Sequence, residues 1–310
     1  MASQVAKRRS WLGSPLQRRE ALEGYLWISP WLIGFLVFSL GPIIVSFYLS
    51  LTKYKIGGSP EWLGLENYAT AFFEDKLFWP SIWRTVYFSV ASVLLGVFFS
   101  LLAAMLLNQN LKGRTIFRAL YYLPSLTPVV ALTILWQWLL SPQQGLVNYL
   151  LGMVGIPGPG WLTDRSWAIP SIILITLWST VGGGRMIIFL AGLQGVPKEL
   201  QEAAEMDGAN GWQRFLNVTI PLISPVILFN LILGVIGAFS TFSVAYLATS
   251  PPGGPNYATW FYMLHLYANA FNFFQMGYAS ALAWIFFVFI FILSYLQIKL
   301  SDRWVYYEFS

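Results

Sequence analysis

The 310-residue chain has no cysteine and a single histidine, His265. Without thiols there is no disulfide, no CxxC redox pair and no thiolate metal site. One imidazole leaves no histidine cluster for zinc and no Ser-His-Asp triad. Charge is scarce as well: Asp, Glu, Lys and Arg make up 10% of the residues, against about 25% in an average soluble domain. No GxxxxGK[ST] occurs, so this chain cannot itself hydrolyse ATP by a phosphate loop. No internal repeat of about 20–50 residues and no low-complexity tract is visible.

What fills the chain instead is apolar surface. Hydrophobic residues reach 57% and the mean hydropathy is +0.61, which places the chain in a bilayer. At about 20 apolar residues per crossing, the pattern predicts an all-α polytopic protein with six spans at about 26–50, 86–107, 119–140, 168–191, 222–246 and 277–298. A basic tail over 1–24, with Lys7, Arg8, Arg9, Arg18 and Arg19, precedes a transmembrane body over 25–300 and a tail over 301–310. The 29 uncharged residues between Glu23 and Lys53 exceed the apolar core of a signal peptide. They are read as an uncleaved first span, bent or interrupted at Pro30 and Gly41-Pro42. Arg84 and Lys112 bound the second span, and Pro124 and Pro128 sit in the first turns of the third. Between Arg214 and Lys299 lie 84 residues without a charge, split by the Pro-Gly-Asn cluster at 250–256. Trp260 to Phe274 reads as a partial helix capping the outer end.

Orientation follows from the basic residues. With both termini inside, thirteen of the eighteen Lys and Arg fall on the inner side and five on the outer, as the positive-inside rule requires. The net charge of +5 therefore reports membrane orientation and does not call for nucleic acid. The segment 197–221 then faces the cytoplasm, where ATP is.

That segment, from Pro197 to Pro225, is the charged island between two apolar stretches. Pro197 suits a first helical position. Leu200, Ala203 and Ala204 recur on one helical face against Lys198, Glu199, Glu202 and Glu205, and Gly208 is placed to end the helix in a left-handed conformation. Asn210 and Gln213 have capping-box spacing for a second short helix carrying Trp212, Phe215 and Thr219, which Pro221 and Pro225 would end. An acidic-aromatic loop between spans is in many proteins only a solvated connector, whereas two capped helices about a glycine elbow suit docking.

Glu202-Ala203-Ala204, Asp207-Gly208-Ala209 and Ile220-Pro221-Leu222 resemble the EAA loop of permease subunits of bacterial ATP-binding-cassette importers. Leu190 to Pro197, Ser250 to Pro255, Gly64-Leu65-Glu66-Asn67-Tyr68 and Arg118 to Pro124 are similar to carbohydrate importers related to the maltose permease, so the likeness covers about residues 25–300. The resemblance implies a non-catalytic permease in the plasma or inner membrane that binds no cofactor itself. Its implied partners are a second permease, two cytoplasmic ATPases carrying ATP and Mg, and an external solute-binding protein. It also implies that Glu202, Ala203, Ala204, Asp207, Gly208, Ala209 and Trp212 engage the ATPase, and it places sugar contacts near Ser240, Thr241 and Tyr246.

On the fifth span, Asn230, Gly234, Gly237 and Thr241 recur at i, i+4, i+7 and i+11. Small residues at such spacing serve close helix packing, assigned here to Gly234 and Gly237, or line a path, assigned to Asn230 and Thr241. Trp178, ahead of Gly182-Gly183-Gly184, either stacks a sugar ring or packs. The triple glycine is no phosphate loop, since Lys-Ser/Thr is missing. Arg185 lies about 12 Å from the end of its span at 1.5 Å per residue. All thirteen Asp and Glu fall outside the expected spans, so Arg185 either faces the path or reaches toward the inner surface past a break at the glycines. An ion-coupled secondary transporter would show intramembrane Asp, Glu or His and often an inverted repeat, and an intramembrane enzyme would need a catalytic cluster. Neither pattern is present. A sugar is the expected solute, with glycerol phosphate or another anionic solute as the alternative that Arg185 keeps open. His265 is expected in an external aromatic cluster.

Overall fold

The computed structural model describes residues 15–109 and 112–306. Lys7, Arg8 and Arg9 of the basic tail lie outside the described residues. The described chain is almost wholly helical, because a backbone in hydrocarbon must satisfy its own N–H and C=O groups. Four helices are long and apolar enough to cross a membrane, or six if each of two bent pairs counts as one crossing.

The first is α1 (Arg18–Ser50), which starts well before the expected boundary and runs through Pro30 without a break. A π turn at Leu36–Leu40, closed by the Gly41 N–H on the Leu36 carbonyl, absorbs the Gly41-Pro42 step by adding one residue to the turn. Beyond it, a short antiparallel hairpin pairs β1 (Thr52–Lys53) with β2 (Glu61–Trp62). The single turn α2 (Glu66–Ala69) follows Gly64, which takes φ +62°. Asn67 on α2 is buried, and its amide donates to the carbonyls of Ser50 at 2.8 Å and Thr52 at 2.9 Å. The Tyr68 hydroxyl bonds Ser50 Oγ at 2.8 Å. The Gly-Leu-Glu-Asn-Tyr motif is thus a clasp on the end of α1.

Helix α3 (Phe78–Asn108) is the centre of the bundle. It begins eight residues before the expected start, so Arg84 lies within the helix and does not bound it. The third expected span is not one straight helix. The helix α4 (Arg114–Tyr122) and its 3-10 extension are followed by α5 (Val129–Leu139), and the two arms meet at 95°. Pro128 sits at this break: Thr127 before it takes ψ 128°, out of the α region as a following proline favours, whereas Pro124 is accommodated in the first turn of the 3-10 segment with Leu123 still α. After α6 (Leu146–Met153), the fourth span is likewise two helices, α7 (Ala168–Thr180) and α8 (Gly184–Gln194), bent by 52°.

Helix α9 (Lys198–Met206) leads to α10 (Gly211–Phe239), which packs on α3. Helix α10 stops at Phe239, and α11 (Ser243–Ala248) is separate, so the fifth span ends before its expected boundary at 246 and starts ahead of its expected one at 222. The segment between α11 and the last helix holds α12 (Tyr262–Tyr267) followed by a π turn, the partial helix expected at Trp260 to Phe274. The last helix, α13 (Met276–Ser301), closes on α1.

The core lies between these helices in clusters stacked along the bundle. Ala103, Ala104 and Leu107 of α3 meet Met186, Phe189 and Leu193 of α8 at one end. Phe88, Ile172, Ala245 and Phe261 meet further along. Large apolar side chains such as Trp27, Phe38 and Phe73 remain outside, as expected for a surface solvated by lipid.

One end carries a polar knot that sequence reasoning missed. His265, buried, bonds Asp75 Oδ2 through Nε2 at 2.8 Å and accepts from Trp260 Nε1 through Nδ1 at 3.1 Å. The Tyr278 hydroxyl donates to the same Asp75 oxygen at 2.6 Å. Indole N–H only donates, so Nδ1 carries no proton, Nε2 donates to Asp75, and the imidazole is neutral. Burial pushes the His265 pKa down despite the opposing pull of Asp75. For Asp75, burial acts to raise the pKa, but the Tyr278 hydroxyl, His265 and the Leu77 N–H together hold it below the usual carboxylate value. His265 does sit among aromatic residues, and its main partner is 190 positions away in sequence.

Candidate functional site: an elbow and a cationic cleft

The elbow is built by local chemistry. Pro197 is the N-cap of α9 with ψ 132°, one place earlier than expected. At the other end Gly208 takes φ +84°. Its N–H bonds the Glu205 carbonyl at 3.0 Å, and the Ala209 N–H bonds the Ala204 carbonyl at 2.9 Å, the pair of bonds that defines a Schellman stop. Asn210 then caps α10 reciprocally: its side chain accepts from the Gln213 N–H at 2.9 Å, and Gln213 Oε1 accepts from the Asn210 N–H at 2.8 Å. Arg214 and Glu205 form an ion pair across the elbow. Contrary to expectation, Pro221 and Pro225 do not end the second helix. A π turn at Phe215–Thr219 carries it directly into the long run, and Pro221 falls in the first turn of the renewed α register, where no N–H is needed. The second arm of the elbow, from Gly211, is therefore the terminal part of a membrane-crossing helix, and α9 is a separate helix held to it by the Gly208 stop and the Arg214–Glu205 pair.

Its outer surface is left uncovered. Glu202, Ala203, Asp207 and Gly208 are exposed, and Ala204 and Ala209 are half-buried. Trp212 is 66% exposed and Met206 89%. Exposed small and apolar residues on a capped helix have the character of an interaction surface.

The second feature is the break between α7 and α8. Gly182 packs against the Tyr121 backbone, and a Cβ at Gly183 would lie 3.0 Å from Ser125 Cβ. The glycines let the 3-10 turn after α4 cross directly over the break. Arg185 starts α8 there, and its guanidinium lies between α3 and α10. A Cβ on Gly96 would collide with Arg185 Nη1, and one on Gly234 would lie 3.2 Å from Nη2. Arg185, Asn230 and Gly234 line one cleft of about 370 Å³ together with Ser125, Ser179 and Thr180. These three hydroxyl residues were not anticipated.

The other residues expected on a substrate path separate from this cleft. Trp178 faces a different, apolar cleft with Phe99 and Pro124 and meets Trp136 edge-on at 5.8 Å. Ser240 and Thr241 lie in the turn after α10, bonded to the Ile236 and Gly237 carbonyls, and so do not continue the helical stripe. Tyr246 stacks in a cluster with Phe242 and Tyr267. Gly234 does serve packing, against Val93, but Gly237 has open space around it and packs on nothing in this chain. Among the described residues no group of three His, Cys, Asp or Glu is placed to hold a metal.

This bundle of broken crossings with an exposed elbow is the fold of a transporter's membrane subunit. It superposes with a TM-score of 0.81, at 24% identity, on a chain of a bacterial ABC transporter involved in the import of the acidic polysaccharide alginate, covering 94% of this chain and 99% of that one. Residues 96–306 match the binding-protein-dependent transport system inner membrane component family, and the chain belongs to that family. It is 41% identical to the probable ABC transporter permease protein YesP of Bacillus subtilis (strain 168), over 94% of each chain. It is 36% identical to the trehalose/maltose transport system permease protein MalF of Thermococcus litoralis, over 86% of this chain and 88% of that one. The lactose transport system permease protein LacF of Rhizobium radiobacter is also 36% identical, over 92% and 95%.

Proposed function

We propose that this chain is one of two permease subunits in an ATP-driven importer of a sugar or oligosaccharide, supplied by an external solute-binding protein. The observation that carries the reading is the continuity of the elbow's second arm with α10: the capped turn and the Arg214–Glu205 pair hold α9 against a helix that runs on to line the Arg185 cleft. In this reading Glu202, Ala203, Ala204, Asp207, Gly208, Ala209 and Trp212 engage a cytoplasmic ATPase, which supplies ATP and Mg while this chain does no chemistry. The elbow end, with both termini, is cytoplasmic. Closure of two ATPases draws the elbows together, and the crossings rock as bodies to alternate access to the cleft. Support for a saccharide comes from relatives whose names specify trehalose/maltose and lactose transport. Hydroxyl and aromatic side chains along the crossings also suit sugars.

Uptake into vesicles holding the whole complex tests this. Saccharide accumulation that requires both ATP and the binding protein is the expected result. Accumulation driven by a proton or sodium gradient without ATP would refute it.

A further inference from the structure

The saccharide-import reading leaves open which saccharide, and the polarity of the cleft bears on that. Ser125 Oγ donates to the Tyr122 carbonyl at 2.7 Å, Ser179 Oγ to the Thr176 carbonyl at 3.0 Å and Thr180 Oγ1 to the same carbonyl at 2.8 Å. Asn230 donates through Nδ2 to the Val226 carbonyl at 2.9 Å. With the three hydroxyl protons and one of the two Asn230 N–H groups committed to their own helices, the oxygens of these residues are left as acceptors. Such a wall suits the hydroxyl protons of a sugar.

The charged donor on that wall is Arg185, with five N–H groups in a planar fork. Among the described residues it has neither an ion pair nor a hydrogen bond. Gly96 and Gly234 leave the room it occupies, and a side chain at either would obstruct it. Holding a guanidinium inside a bundle of membrane-crossing helices without a counter-charge is costly. A structural arginine would be expected to have found a carboxylate or carbonyls. A cleft of about 370 Å³ falls in the range of small-molecule sites, and a planar fork matches a carboxylate in bidentate fashion.

We propose that the cleft takes a saccharide bearing a carboxylate, with Arg185 pairing the carboxylate and the Ser125, Ser179, Thr180 and Asn230 oxygens accepting from sugar hydroxyls. Arg185 then sets specificity within the import function proposed above, on which this inference rests.

The test uses the full complex in proteoliposomes, with radiolabelled uronic-acid disaccharides and their neutral, carboxyl-reduced counterparts as probes. Wild type is expected to import the acidic member of each pair. Per assembled complex, Arg185→Gln should lower acidic uptake at least tenfold and Arg185→Lys should keep part of it. Wild-type import of the neutral members alone overturns the inference and leaves saccharide import standing. Acidic uptake by Arg185→Gln at the wild-type rate also overturns it, as does a loss equal for both probes. If Arg185→Gln fails to assemble, competition on the wild-type complex decides: the acidic probe must displace the neutral one, and the reverse order sinks the proposal. ATP-dependent import of neither probe removes the saccharide reading itself.

Discussion

Gly208→Ala isolates the elbow's geometry from its contacts. The position has φ +84°, and a Cβ added there would find nothing within 4 Å, so the new methyl meets no neighbour and the whole effect is conformational. A left-handed backbone costs an L-residue about 1–2 kcal/mol. That strain acts on the two bonds that end α9, from Gly208 to Glu205 and from Ala209 to Ala204. A penalty of about 1–2 kcal/mol is a factor of about 5–30 in the population holding the capped form. If only that form transmits force, ATP-driven uptake per assembled complex should fall by up to this factor, while Gly208→Asn, which tolerates the conformation better, should fall less. Gly211→Ala is the control, because its site is equally open but requires no positive φ. Uptake by Gly208→Ala equal to wild type, with normal complex assembly, would refute a rigid elbow as the transmitting element.

Further outcomes concern stability. Asn67→Ala deprives the buried Ser50 and Thr52 carbonyls of their donor and should cost about 1–3 kcal/mol, read as a lower melting temperature in detergent. Gly277→Ala places a methyl against the Thr52 carbonyl and Tyr54 N–H and should be strongly destabilising, whereas Gly237→Ala, in open space, should be neutral or stabilising by up to about 1 kcal/mol. The pKa of His265 is lowered in the folded chain, so the folded state binds fewer protons than the unfolded one. Stability from this site is then fully present above the ordinary histidine value and declines as pH falls below it. Melting curves at pH 8 and pH 5.5 should differ in that sense, and Trp260→Phe, which frees Nδ1 to take a proton, should flatten the difference.

The elbow was legible in the sequence because every device in it is local. Gly208, the Asn210–Gln213 box and the Leu200, Ala203, Ala204 face lie within a few residues of their partners, so spacing alone specifies them. Helix interruptions were legible in part. Pro124, Pro128 and the triple glycine signalled trouble in the third and fourth crossings, but a proline can be absorbed by a π turn, as at Gly41-Pro42 and Pro221, and spacing does not say which will happen. Arg185 stood out as a charge without a counter-charge, yet its seat is made by Gly96 and Gly234 on two other helices. The same limit hid the Asp75–His265–Tyr278 knot, whose members are brought together only by closure of the bundle. The stripe ending at Thr241 failed because α10 stops at Phe239.

The central claim is that the elbow docks on a nucleotide-hydrolysing subunit at the inner face. The absence of native cysteine permits a direct measurement: single Ala203→Cys and Ala209→Cys variants, each paired with cysteines engineered on the co-purified ATPase, are crosslinked in membranes with and without ATP. The account predicts efficient crosslinks to the ATPase, and labelling of both cysteines by impermeant thiol reagents from the cytoplasmic side only. Crosslinks that never capture an ATPase, or labelling only from outside sealed cells, would contradict it.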